Sequence, residues 1–303
     1  MLTRKNGGLE WIEITPPLEP DLTTLANERG IHPLAVEDCL HRNQRSKYED
    51  FEVHQFLVIH AIRELEVLEF QFVIFPKSII LVTDAALPKG SESWYQFLKI
   101  SPTCESVSSI LYQAMDQIVD MSETSIRAFY DRLALLESQI FTRDLDPRSL
   151  LRLKHQVGAA APRIAALPSV IKQWTEICKP EGDLRWRWRD VWDHAERNRQ
   201  AMETFQQQSA SALDIYWGWT SKLVNDQMER LTALAAVFLP LTFWTGFFGT
   251  NFQIMPYGSA KFFYLSMCVM VTTVAVFYLS IQKGGYFGKD ARRRRQIRYE
   301  RKH

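Results

Sequence analysis

Hydrophobic positions divide the chain into stretches of different period. Up to about residue 100, short runs rich in β-branched and aromatic residues predict strands at 9–14, 53–62, 68–75 and 78–83. Pro76-Lys77 reads as a hairpin turn between the last two. Helical spacing fits 21–29, 33–40 and 91–99. From Cys104 onward the period is helical throughout. One helix is predicted over 110–141, ending before the turn residues at 144–147. A second covers 149–178, bent by Pro162 and Pro168. After the turn at 179–183 a single pattern starts near Trp186 and holds to Thr250. As a helix it spans on the order of 90 Å at ~1.5 Å per residue.

The far end of that pattern carries no charge over 231–250, and a second uncharged run follows at 262–281. Each is about 30 Å long as a helix, which matches the hydrocarbon core of a bilayer. Buried core helices share that composition, but two full-length runs joined by 251–261 predict a membrane hairpin. Lys222 and Arg230 precede the first run, and the connecting loop holds only Lys261. Residues 282–303 carry nine Lys and Arg against Asp290 and Glu300, a local +7. Positive flanks place both termini in the cytoplasm and the loop outside. The N-terminus is too polar for a signal peptide. The expected location is the inner cell membrane, crossed twice.

The whole chain has 303 residues and a net charge of +1, so the body outside the basic tail is mildly acidic. That balance argues against nucleic acid as a partner. Arg292 to Arg295 beside a span read as a topology anchor on anionic lipid rather than a nucleic-acid arm. Cys39, Cys104, Cys178 and Cys268 form no C-x-x-C pair, so neither a zinc finger nor a disulfide framework is supported. The predicted class is α+β: a cytoplasmic mixed α/β domain (1–102), a cytoplasmic helical region (103–183) and a long stalk helix (184–250) containing the first span (231–250). An external loop (251–261), the second span (262–281) and the basic cytoplasmic tail (282–303) follow.

Stepping along the stalk helix at 3.6 residues from Asp214 gives Gly218, Ser221, Asn225, Met228, Thr232, Ala235, Leu239, Thr242, Gly246 and Gly249. Most of these are small or polar, whereas other faces carry Trp217, Phe238, Phe243, Trp244 and Phe247. Two readings of such a stripe stay open: close helix–helix packing, or a water-lined path built from several copies. One hairpin cannot enclose a path, so the second reading requires an oligomer.

The residues Gly249-Thr250-Asn251, followed by Phe252-Gln253-Ile254-Met255-Pro256, resemble the Gly-Met-Asn motif of the CorA family of divalent-cation channels. Phe238-Leu-Pro-Leu-Thr-Phe243 with Thr245-Gly246 is similar to that family's Phe-x-Pro-Leu-Thr-Phe run. Ile31 to Leu40 with Gln44, Arg45 and Lys47 resembles its N-terminal segment. Arg189-Asp190-Val191, Asp193-His194 and Leu213-Asp214-Ile215-Tyr216 resemble its long helix. Two features depart from the pattern. The middle motif residue is Thr250 rather than Met, and the outer loop has Gln253 and Tyr257 but no acid. The related zinc-handling ZntB branch also departs from Met at the middle position.

The resemblance implies a pentameric funnel, a homopentamer in the lipid bilayer with five copies of the first span around one axis. Mg²⁺ is the cargo and regulator it implies first, with Co²⁺, Ni²⁺ or Zn²⁺ as candidates. Gly249, Thr250 and Asn251 become the selectivity motif. A ring of Asn251 amide oxygens suits a hydrated hard cation, although Asn also fills a helix C-cap. The pore-lining set is Asn225, Met228, Leu231, Ala235, Leu239, Thr242 and Gly246. Within it, Asn225 and Thr242 offer oxygens, and Met228, Leu231 and Leu239 offer either apolar constrictions or ordinary packing. Asp214 becomes a regulatory metal ligand, with Asp84 and Glu92 as candidate partners. The alternative for Asp214 is a solvated helix acid. Neither span holds an acid for proton relay, and the chain has no Walker A sequence. A divalent cation moving inward gains about 4.6 kcal/mol per 100 mV, enough for passive uptake. No nucleophile–base pair points to an enzyme. The alternatives to a channel are a ZntB-like zinc transporter and a membrane-anchored metal sensor or scaffold without a pore.

Overall fold

The computed structural model describes all residues except 7, 16, 18, 42–43, 89, 143–144, 251–255, 257 and 284–303. The chain divides into two compact units, Met1–Ile215 and Tyr216–His303.

The first unit is built on one six-stranded sheet. Its strands are β1 (Leu2–Asn6), β2 (Leu9–Ile14), β3 (Lys47–Asp50), β4 (Gln55–Arg63), β5 (Glu66–Ile74) and β6 (Ser78–Val82), in the order β1-β2-β6-β5-β4-β3. Only β2 and β6 run parallel. The β5–β6 hairpin closes at Pro76-Lys77, where Phe75 N donates to Ser78 O at 2.8 Å. Alternation along β4 sends Phe56 and Val58 to one face and Leu57, Ile59 and Ala61 to the other. The first face is covered by α1 (Glu19–Arg29) and α2 (Pro33–Leu40). The second is covered by α3 (Trp94–Phe97), α4 (Val107–Gln139), α6 (Leu167–Cys178) and the start of α7 (Asp183–Gly249). Burial on both faces explains why β4 reads as a continuous apolar run.

Helix ends follow local chemistry. His32 caps α2, its Nδ1 accepting from Leu34 N at 3.2 Å, and Asp146 caps α5 (Pro147–Ala165) by accepting from Arg148 N at 3.0 Å. The single helix expected over 149–178 is two, broken at Ala166. Pro162 sits inside α5, and Pro168 takes the first turn of α6, where its missing N–H has no partner to lose. The short helix α3 is anchored by Glu13. This buried carboxylate accepts from Trp11 Nε1 (2.8 Å), Trp94 N (3.0 Å) and Tyr95 N (2.6 Å).

Helix α7 has 67 residues, on the order of 100 Å at ~1.5 Å each, and passes from the first unit into the second. It continues through Pro240, which has no N–H to offer the carbonyl of Ala236. The second unit holds the rest of α7 and α8 (Ala260–Lys283). Both contain uncharged stretches long and apolar enough to cross a membrane. The rings of Phe248 and Phe262 meet edge-on at 5.9 Å. Positions that lose surface recur at helical spacing: Ala233, Val237, Leu241, Trp244 and Phe248 on α7, and Phe262, Ser266, Met270 and Thr273 on α8.

Candidate functional site

The stripe predicted from Asn225 to Gly249 is exposed along its length within the chain. Asn225, Ala235, Thr242, Gly246 and Gly249 are all exposed, and Met228, Leu231 and Leu239 keep 57%, 61% and 70% of their surface. At 100° per residue, Ala235, Leu239, Thr242 and Gly246 each lie 160–200° from a covered position two residues away. Helix α7 therefore keeps its losses of surface on one face and leaves the opposite face exposed within the chain. The exposed flanks hold Leu234, Phe238, Phe243 and Phe247.

This partition has chemical consequences in a bilayer. Large apolar side chains are matched to lipid, while small and polar ones gain nothing from it and are matched to protein or water. Thr242 donates its hydroxyl hydrogen to Phe238 O at 2.9 Å. The donor is thus satisfied inside the helix, and the oxygen's lone pairs remain for a cation or its water shell. Thr232 does the same with Met228 O at 2.8 Å. At the motif itself, just past the end of α7, Thr250 donates its hydroxyl hydrogen to Phe247 O at 2.6 Å. Asn251 lies outside the described residues, as do most of the outer loop and nearly all of the basic tail.

Asp214 is exposed near the end of the first unit, and its suggested partners Asp84 and Glu92 are exposed in the segment between β6 and α3. A different acidic group escaped sequence reading. Asp116, Asp120 and Glu123 on α4 meet Asp190 and His194 on α7. Burial pushes the Asp116 carboxyl above its ordinary range. Asp120 and Asp190 add to that shift, and His194 opposes it. The signal available in sequence was helical spacing alone, Asp120–Glu123 at i,i+3 and Asp190–His194 at i,i+4. The tryptophan-rich start of α7 is structural: Trp188 is buried 4.3 Å from Trp174, and Arg187 lies over Tyr112 at 5.8 Å.

Comparison with known proteins bears on these features. The family model described as CorA-like Mg²⁺ transporter protein matches residues 6–283. The cobalt/magnesium transport protein CorA of Thermotoga maritima is 28% identical over 282 residues, covering 88% of this chain and 80% of that protein. The zinc transport protein ZntB of an Enterobacter species is 24% identical over 172 residues, 54% of this chain and 51% of that one. The complete structure of the CorA magnesium transporter from Methanocaldococcus jannaschii superimposes with a TM-score of 0.78 over 94% of both chains at 17% identity, which shows the fold. With a family match through both the α/β unit and the apolar hairpin, the chain belongs to the CorA-like Mg²⁺ transporter family, a family of divalent metal ion transporters.

Proposed function

We propose that the chain forms a homopentamer in the inner cell membrane, both termini cytoplasmic, in which five α7 helices line a path for divalent cations. Mg²⁺ is the first candidate cargo, with Co²⁺, Ni²⁺ and Zn²⁺ as its competitors. The observation that carries the proposal is the partition of α7: one face loses surface within the chain, and the small, polar stripe opposite stays exposed. Five such stripes around an axis would place Asn225 and Thr242 oxygens toward the ion and form apolar constrictions at Met228, Leu231 and Leu239. The motif Gly249-Thr250-Asn251 would form the outer mouth, with Asn251 amides accepting from the cation's water shell. Asp214 would report cytoplasmic metal: like charges brought together in the closed assembly repel, and a bound cation relieves that repulsion.

A zinc-transporting variant of the same architecture is favoured by one feature, Thr250 at the middle motif position, together with the similarity to ZntB. The deciding experiment is ion flux into liposomes with Mg²⁺, Zn²⁺, Co²⁺ and Ni²⁺ in competition, with and without a pH gradient. Mg²⁺ flux independent of the gradient is expected, from a particle whose mass in mild detergent is that of five chains. Flux from a stable monomer or dimer would overturn the architecture. Absence of metal flux from a folded pentamer would leave a sensor or scaffold.

A further inference from the structure

We infer that the cleft between the end of α6 and the first turns of α7 binds an organic phosphate of nucleotide size, through Lys172, Lys179, Arg185 and Arg189 and the indole of Trp192. This site lies in the first unit and does not depend on the pore reading.

The cleft has a volume of about 640 Å³, within the roughly 300–1,000 Å³ of small-molecule sites. Its four cations face one carboxylate, Glu176, which leaves a local charge of +3. Glu176 stands 3.9 Å from Lys172 Nζ, a long, exposed pair that neutralises little. Among the described residues no carboxylate lies within ion-pair distance of Lys179, Arg185 or Arg189. Arg187, which does not line the cleft, is held differently: its Nε donates to Asp183 at 2.6 Å and its guanidinium lies over Tyr112.

Two of the cations sit where the backbone does not favour them. Arg185 is in the first turn of α7, at the positive end of the helix dipole. Lys179 follows α6 in the left-handed region (φ 41°), with its N–H on Thr175 O at 3.0 Å. Glycine takes that conformation without strain, so the lysine keeps a charge at a glycine position. An anion in the cleft offsets the dipole and the mutual repulsion of the four cations.

The wall adds aromatic surface and a donor. Trp188 is 2% exposed, and its Nε1 is buried without a hydrogen-bond partner. An indole nitrogen only donates, so this unmet group complements an anionic oxygen. Trp192 is half-buried and offers a flat apolar face to the ring of a ligand. Guanidinium forks match phosphate oxygens two at a time, and a charge of +3 suits a multiply charged anion. The volume and the aromatic wall exceed what inorganic phosphate can fill.

The test is calorimetric titration of ADP into the full-length protein in detergent, freed of divalent metal by dialysis so that no cation bridges the two. The double variant Arg185→Gln, Arg189→Gln should weaken binding by about tenfold or more, since charge-assisted hydrogen bonds are lost. Arg189→Lys keeps the charge without the fork and should weaken binding less than Arg189→Gln. Lys179→Gly should weaken it with no loss of heat stability. Pyrophosphate and citrate lack the ring and should bind roughly tenfold more weakly than ADP. Absence of ADP binding to the folded protein would overturn the proposal. So would pyrophosphate or citrate binding as tightly as ADP. An unchanged isotherm in the double variant would move the ADP to the basic tail and equally overturn it.

Discussion

Substitution at Gly246 separates the readings of the exposed α7 stripe. A Cβ placed on Gly246 meets nothing within 4 Å in the chain, and its backbone is helical. Gly246→Ala therefore costs no contact within the protomer. By reducing the freedom of the unfolded chain it should stabilise each protomer by about 0.5–1 kcal/mol. Gly246→Leu is equally free of clashes in the single chain. In a five-fold assembly it sets five branched apolar side chains at one level, two turns beyond Leu239. Only about 1.4 kcal/mol added to the ion's barrier lowers flux tenfold, and an apolar ring that sheds water should exceed that. The expected pattern is a pentamer at least as heat-stable as wild type with flux reduced more than tenfold for Leu and little for Ala. The assays are proteoliposome flux, thermal unfolding and particle mass in detergent. If the stripe instead packs tightly on another helix, Leu overpacks that contact at about 1–3 kcal/mol per site and the assembly should loosen. Wild-type flux through a stable Gly246→Leu pentamer would mean that the stripe faces lipid, and would refute the reasoning.

Other substitutions address the remaining sites. Asn251→Ala should abolish uptake while particle mass stays unchanged, whereas Thr250→Met should be tolerated; wild-type flux in Asn251→Ala would leave Asn251 as a helix cap. Asp214→Asn should shift inhibition by cytoplasmic metal to higher concentration, and an unchanged inhibition curve would return Asp214 to a solvated helix acid. Glu13→Gln keeps the volume of a carboxylate that accepts from three N–H groups but turns an amide donor toward them; a loss of about 1–3 kcal/mol is expected in denaturant unfolding, and none at all would count against the anchoring role of Glu13. Burial raises the Glu10 carboxyl, but Arg29 and Lys5 outweigh it, so the net shift is downward from 4.5. A depressed carboxylate stabilises the fold above its unfolded pKa and loses that contribution as pH falls through the folded value. Arg29→Met should therefore flatten the acid side of the stability–pH curve below about pH 4.5 and leave a deficit at neutral pH.

Legibility in the sequence followed how local each determinant is. Strand β2 and helix α2 emerge with the predicted limits, and the Pro76-Lys77 hairpin forms as expected, because each is set by residues within a few positions. The edge strands β1 and β3 were missed. Their sequences, LTRKN and KYED, carry the charges that guard a sheet edge and so lack an apolar alternation. The break at Ala166 was read as a bend, since two prolines six residues apart suit either outcome until packing chooses. The same rule divides the candidate functional residues. The α7 stripe was visible because it lies on one helix, whose period alone decides which residues share a face. The Asp120, Glu123 and His194 group was not, because it joins residues about seventy positions apart. Their meeting depends on the register of two helices, which no local pattern encodes. That register is held by Asn198 to Val119 O and, further along, by Tyr130 to Ala201 O at 2.9 Å, both side chain to backbone. Bonds of that kind tie α4 and α7 together on either side of Glu123.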